Sequence, residues 1–315
     1  MAGKKKIRVY YRAAGHVPLW KVMEEGGFLE KHGVEIELGS REGKREQALK
    51  ELRAGELDII SGNHHNLYAP RALNGEPFVH IAQTNNLWKE NWLVARPGIR
   101  GLQDLKGKRI AMDDFHSHTG LNVWRFLQLN GLEEGRDVEL VNGERKGLDR
   151  VRKVMSGEYD ATFVRAIEQL RSRAIGANVI ELSSSMPMIE GVTVTTTTTY
   201  VNSHQEEVRG LLLALVDAIH FFKTRRKDTI KILKEKCADV MKLESDDEMG
   251  LFYDNTEKSL EPKPYPTLGA IENVFALAVR ECPKIRDSNP LAMWDMHYVR
   301  EIDDSGYIDK LYANN

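Results

Sequence analysis

Short apolar runs alternate with longer stretches of helical period from the start of the chain. KIRVYYR (residues 6–12) predicts a strand, VPLWKVMEEGGFLEKHG (17–33) a helix stopped by Gly33, and VEIEL (34–38) a second strand. REQALKELRAGE predicts a helix and LDIISG a third strand, and FVHIAQ and NWLVARP continue the same sheet. A new unit begins at GLQDLKGKRIAM: a strand, a helix from about Gly120 to Asn130, then VELVN, a helix through RVRKVMSG, DATFV, and an end near NVIELSS. GVTVTTTTTY (191–200) is β-branched enough for a strand, although its five consecutive threonines also resemble low complexity. It is read as the return crossing between domains.

Beyond it, EEVRGLLLALVDAIHFFKTRR places Val208, Leu212, Leu215, Val216, Ile219 and Phe222 on one face at spacings of three and four. That is a long amphipathic helix. TIKILKEKC and LGAIENVFALAVREC are helical as well, with the Pro-interrupted EPKPYPT before the second. Alternating strands and helices predict an α/β protein with largely parallel sheets.

Composition narrows the partners. The chain has 315 residues, 41% of them hydrophobic, enough for one large or two ordinary domains with real cores. Lys and Arg number 45 against 47 Asp and Glu, so no charge excess draws the chain to nucleic acid or to an acidic membrane surface. No membrane insertion is expected. MAGKKKIRVYYRAAG passes straight into the first strand without an apolar leader core, which gives a cytoplasmic expectation, or a periplasmic one if a leader has been removed. Cys237 and Cys282 lie far apart, outside any CxxC or metal-ligand spacing, and read as free thiols.

Candidate chemistry collects in loops that follow strands. SGNHHN and DDFHSHTG each place two histidines after a strand-like run, and Arg12-Ala13-Ala14-Gly15-His16 follows the first strand. Ser117 or Thr119 would cap the next helix, and Asn63 would support a turn. His116 and His118, two apart, would face the same way in an extended segment and with Asp113 or Asp114 could chelate a divalent metal; no other cofactor is expected. Neither Cys237 nor Cys282 falls in these loops, so a cysteine nucleophile is less well supported.

Four stretches in order resemble the sulfonate, taurine and thiamine-precursor branch (SsuA/THI5-like, NMT1-like) of the type II periplasmic-binding-protein-like superfamily. They are GHVPLWKVMEEGGFLEKHGVEIEL, ALKELRAGELDII, GLQDLKGKRIAM and VMSGEYDATFV. The resemblance implies two α/β lobes, each a mainly parallel sheet flanked by helices. Residues 1–95 plus 200–315 would form lobe 1 and 96–199 lobe 2, with a hinge near 95–98 and 195–200. It further implies a ligand between the lobes at the carboxyl ends of the strands.

Arg12, Gly15, His16, Asn63, His64, His65, Phe115, His116, His118, Thr119, Gly120 and Arg165 then line the cleft. Helix N-termini at Thr119-Gly120 and after Gly15, with Arg12 or Arg165, suit an organic anion. Of the aromatics Trp20, Tyr68, Trp88, Trp92 and Phe115, two, Trp88 and Phe115, would wall an aromatic or heterocyclic acid. The expected role is capture of a small molecule, in partnership with an ABC permease if the protein is exported. The alternative is a cytoplasmic decarboxylase- or lyase-like enzyme with His118 and His65 as general acid and base. The chain departs from the desulfinases of this fold in lacking a cleft cysteine, and from the fungal thiamine-pyrimidine synthases in lacking their Cys-rich motif.

Overall fold

A computed structural model describes residues 6–41, 44–62, 65–88, 92–182 and 185–313. The described residues form two five-stranded sheets flanked by helices. The first contains β1 (Ile7–Tyr11), β2 (Ile36–Ser40), β3 (Ile59–Ser61), β4 (Phe78–Leu87) and β10 (Pro187–Thr197) in the order β2-β1-β3-β10-β4. The second contains β5 (Trp92–Ala95), β6 (Lys108–Met112), β7 (Val138–Asn142), β8 (Ala161–Val164) and β9 (Val179–Glu181) in the order β7-β6-β8-β5-β9.

The two orders are one topology used twice. In each sheet one strand runs against its neighbours: β10 pairs antiparallel with β3 and β4, and β5 with β8 and β9. The remaining pairs are parallel. Each reversed strand is the first that the chain makes on entering its sheet from the other one.

This pairing moves the domain boundary. Trp92–Ala95 belongs to the second sheet, not the first, and the threonine-rich strand Pro187–Thr197 belongs to the first. The chain therefore crosses between Leu87 and Trp92 and returns between Glu181 and Pro187, rather than at 95–98 and 195–200. The threonines are a buried strand whose hydroxyls are spent internally. Thr193 Oγ1 donates to Gln83 Oε1 (2.6 Å), Thr195 Oγ1 lies 2.8 Å from His80 Nδ1, and Thr196 Oγ1 donates to the Asp58 carbonyl (2.7 Å). Thr197 accepts from Tyr200 N and caps the next helix.

The predicted amphipathic helix spans Gln205–Thr224, and all six named apolar positions are buried. It packs under the first sheet with the helix Val17–Glu25, which ends earlier than expected because Gly26 and Gly27 break the run before Phe28–Lys31. One charge is buried here. Asp217, 2% exposed, accepts from Lys31 Nζ (2.6 Å) and the Tyr307 hydroxyl (2.8 Å) and lies 2.8 Å from His32 Nε2. Three partners offset its desolvation. A second apolar cluster spans both sheets and includes Leu121, Phe126 and Leu127 of the helix His118–Leu129 and Val274 and Leu277 of the helix Leu268–Glu281. No helix among the described residues is long and apolar enough to cross a membrane. Cys237 is buried and Cys282 half-buried; both are free thiols.

His80 on β4 is fully buried, and burial first, then Arg71, holds its pKa down from 6.5 to about 3. The unfolded chain takes up this proton as pH falls below 6.5 and the folded chain does not until about 3. Stability therefore falls with pH across that window, at about 1.4 kcal/mol per pH unit from this residue. Urea denaturation at pH 6.5 and pH 5 should show wild type losing about 2 kcal/mol more than His80→Gln. Equal losses in the two proteins would show that His80 is not buried neutral.

Candidate ligand-binding site

Both sheets point their carboxyl strand ends at one junction. On the first, the turn after β1 is tied to the end of β3: Arg12 N donates to the Ser61 carbonyl (3.0 Å), and the Trp20 indole N–H donates to Ser61 Oγ (2.9 Å). His16 is buried with Nδ1 3.1 Å from the same carbonyl. Gly62 follows with φ +88°, and a Cβ there would fall 1.6 Å from His16 Cε1. Only glycine fits on both counts. His16 is thus a packing residue of the turn, contrary to its expected place against ligand. Gly15 sits exposed in the 3-10 turn Ala14–His16. Asn63 and His64 lie outside the described residues.

On the second sheet the loop after β6 is a self-contained cap. Ser117 Oγ donates to Asp113 Oδ1 (2.7 Å) and accepts from Gly120 N (2.9 Å), starting the helix His118–Leu129. A Cβ on Gly120 would lie 1.9 Å from the Asp114 carbonyl, so glycine lets the helix abut its own loop. Its N–H, expected to meet ligand, is taken by Ser117. Thr119 occupies the first turn, and Phe115 is half-buried against the shared core, its N–H donating to Asn142 Oδ1 (2.9 Å). Arg165 is exposed at the start of the helix Ala166–Ala174.

Helix initiation separates the two histidines expected to act together. His116 precedes the cap, is exposed, and sets Nδ1 3.0 Å from Glu281 Oε2. His118 follows the cap and turns inward, with Nε2 3.0 Å from the Ile189 carbonyl and 3.3 Å from Glu190 Oε1. With Asp113 held by Ser117, the proposed His116, His118 and Asp113 metal set is not assembled. No group of three or more His, Cys, Asp or Glu that could hold a metal ion occurs among the described residues.

The two sheets meet at His118. Its ring lies parallel to that of buried His65, with centroids 5.7 Å apart and planes within 6°. Glu190 Oε1 accepts from Asn122 Nδ2 (2.6 Å), and the Glu190 carbonyl accepts from Gln83 Nε2 (2.6 Å). Glu190 pairs with Asn85 in the β4–β10 ladder. Glu190, Asn122, Gln83 and Asn85 were not anticipated. Their signal was present as polar residues inside the apolar runs FVHIAQTNNL and PMIEG, where burial of a polar group is the informative feature. Trp88 is 3% exposed between Phe126 and Phe163, at 4.6 and 5.6 Å. Trp20 and Tyr68 are likewise core residues, and Arg173 covers Trp92.

Polar pairs flank the junction on both sides. Arg171 grips Glu248 with two bonds of 2.6 and 2.7 Å, which hold the Glu248 carboxyl below its ordinary pKa. Opposite, Arg125 donates to Asn273 (2.9 Å), which itself donates to the Pro187 carbonyl (2.8 Å). Cavities of about 280 Å³ beside His32 and about 480 Å³ beside Tyr68 and Phe275 are not lined by His65, His118 or Glu190.

Two sheets of one topology, joined by two crossings and facing each other through their strand ends, define a periplasmic-binding-protein-like α/β protein. The chain belongs to the NMT1/THI5-like family, whose model matches residues 15–226. No curated protein matches its sequence. Among solved structures, a protein of Bordetella bronchiseptica RB50 is similar with a TM-score of 0.70 at 18% identity, over 96% of this chain and 98% of that one. The periplasmic aliphatic sulphonate binding protein SsuA from Escherichia coli gives 0.67 at 17% identity over 92% of each chain. The desulfurization enzyme DSZB gives 0.61 at 16% identity, over 95% and 99%. These likenesses are of fold.

Gly62→Ala tests the local argument. Its left-handed backbone and the His16 contact should together cost about 1–3 kcal/mol, read by denaturant titration, whereas Gly15→Ala, with nothing near its Cβ, should cost under about 1. Equal effects would remove the special role of Gly62.

Proposed function

We propose that the protein is a substrate-binding protein that captures a small organic molecule, with an anionic group, between its two lobes. The observation that carries this reading is the meeting of His65 and Glu190, from the unit of the first sheet, with His118 from the unit of the second. A molecule held there touches both lobes, so it favours closure by its greater affinity for the closed form. Arg12 and Arg165, at the ends of β1 and β8, and the first turn of the helix at Thr119 supply the positive side of the site.

Neighbours described as the sulfonate-binding protein of an ABC transporter and as the ligand binding component of an ABC-type import system support an importer, with an ABC permease as partner. Two neighbours are described as periplasmic, which supports export and gives no support to the cytoplasmic expectation. A second reading, acid–base catalysis by His118, rests on the Glu190 carboxylate 3.3 Å from its Nε2. The DSZB likeness does not favour it, because the fold alone does not carry chemistry.

Calorimetric titration with a panel of carboxylates and sulfonates should find a ligand whose addition lowers the radius of gyration in small-angle scattering. His65→Ala and His118→Ala should weaken it several-fold to about a hundred-fold, the loss expected for one hydrogen bond, neutral or charge-assisted. His204→Ala, which stacks on Tyr200 at 4.3 Å, should bind normally. If both junction variants bind like wild type and lose only melting temperature, the site lies elsewhere. Mass spectrometry of the incubated panel should recover each compound intact; a converted product would favour catalysis.

A further inference from the structure

Three buried side-chain atoms at the junction lack a hydrogen-bond partner among the described residues: Asn85 Nδ2, Trp88 Nε1 and Asn122 Oδ1. Their residues are 1%, 3% and 1% exposed. They form one seam. Asn85 stands opposite Glu190, Asn122 donates to Glu190, and Trp88 packs on Phe126, one turn beyond Asn122 in the same helix. Buried polar atoms are almost always paired, because an unpaired one has lost its bonds to water and gained nothing. Three together, on β4, just after it and on the helix His118–Leu129, mark a place where the partner comes from outside the chain.

The network also fixes which way each amide points. Only the NH₂ of Asn122 can face the Glu190 carboxylate, so its oxygen is the atom left over. Asn85 Oδ1 accepts from Leu87 N (3.0 Å), so its NH₂ is left over. The Trp88 indole can only donate. The seam therefore offers an acceptor, Asn122 Oδ1, beside the Glu190 carboxylate, and two donors next to them. A sulfonate or carboxylate without other polar groups has no hydrogen to give and would bring its charge toward Glu190.

We propose that the captured molecule carries an N–H donor, an ammonium, amidine or amide nitrogen, that docks on Glu190 and Asn122 beside an acceptor held by Asn85 and Trp88. This rests on the capture reading above and narrows its ligand to a nitrogen-bearing organic acid. Glu190 and Asn122 then set specificity, and the arginines and the helix start hold the anionic end.

Matched pairs test it by isothermal titration of the whole protein: 3-aminopropanesulfonate with propanesulfonate, β-alanine with propionate, 4-aminobenzoate with benzoate. In at least one pair the amino member should bind ten-fold or more tightly than its parent. Glu190→Gln, of the same shape, should shrink that ratio several-fold, as should Asn122→Ser, used if the first variant does not fold. His204→Ala should keep the ratio. A parent acid that binds as tightly as its amino partner, and loses affinity in His118→Ala, would overturn this inference while leaving capture in the cleft standing. An amino preference that survives both seam variants would overturn it too. If no member of any pair binds, the capture reading and this one fail together.

Discussion

The antiparallel pairing of β4 with β10 is the contact on which the rest depends. Pro187 lies opposite Leu87 and Thr197 opposite Phe78, so the strand leaving the first sheet and the strand returning to it run side by side for their whole length. Irregular register at Glu190 and between Val194 and Thr195 bends the ladder near the junction. Its interior is polar for a buried pair of strands: Gln83 with Thr193 and Glu190, His80 with Thr195, Thr84 with Val192. Directional bonds fix a register that apolar side chains alone would leave free to slip. That register brings Asn85 and Glu190 level with each other, under the start of the helix at His118.

Much of this was legible in the chain. The helix at 205–224 announced its buried face through spacing, and most strands fell where apolar runs stood between turn residues. The crossings were not legible, because Trp92–Ala95 and the threonine-rich strand look the same locally whichever sheet they join; pairing is a long-range property. The loops after β3 and β6 could be placed for the same reason as the strands before them. The direction of each side chain could not. His116 and His118 diverge because Ser117 starts a helix between them, and His16 turns inward because Gly62 leaves room for its ring.

The two units are held together by side chains away from His65 and His118. The Arg171–Glu248 pair on one side and the Arg125–Asn273–Pro187 chain on the other already join the units, and the apolar cluster in which the helices His118–Leu129 and Leu268–Glu281 both take part adds to them. A ligand can shift the balance only by what it gains in the closed form beyond the open one. If the proposed capture involves closure, the side chains at 171 and 248 would enter the affinity through that equilibrium, to the same extent for every ligand.

The position of Leu87 opposite Pro187 has a meaning for the architecture of the gene product as a whole. Everything between these two residues is one continuous insert, carried at the open end of what would otherwise be an ordinary hairpin. The first sheet keeps all five of its strands without it. A second unit of the same strand order, set into that gap, needs no rerouting of the host chain, because the host's exit and entry points are paired neighbours. Duplication followed by insertion at a hairpin tip would produce two units of one topology in a single event.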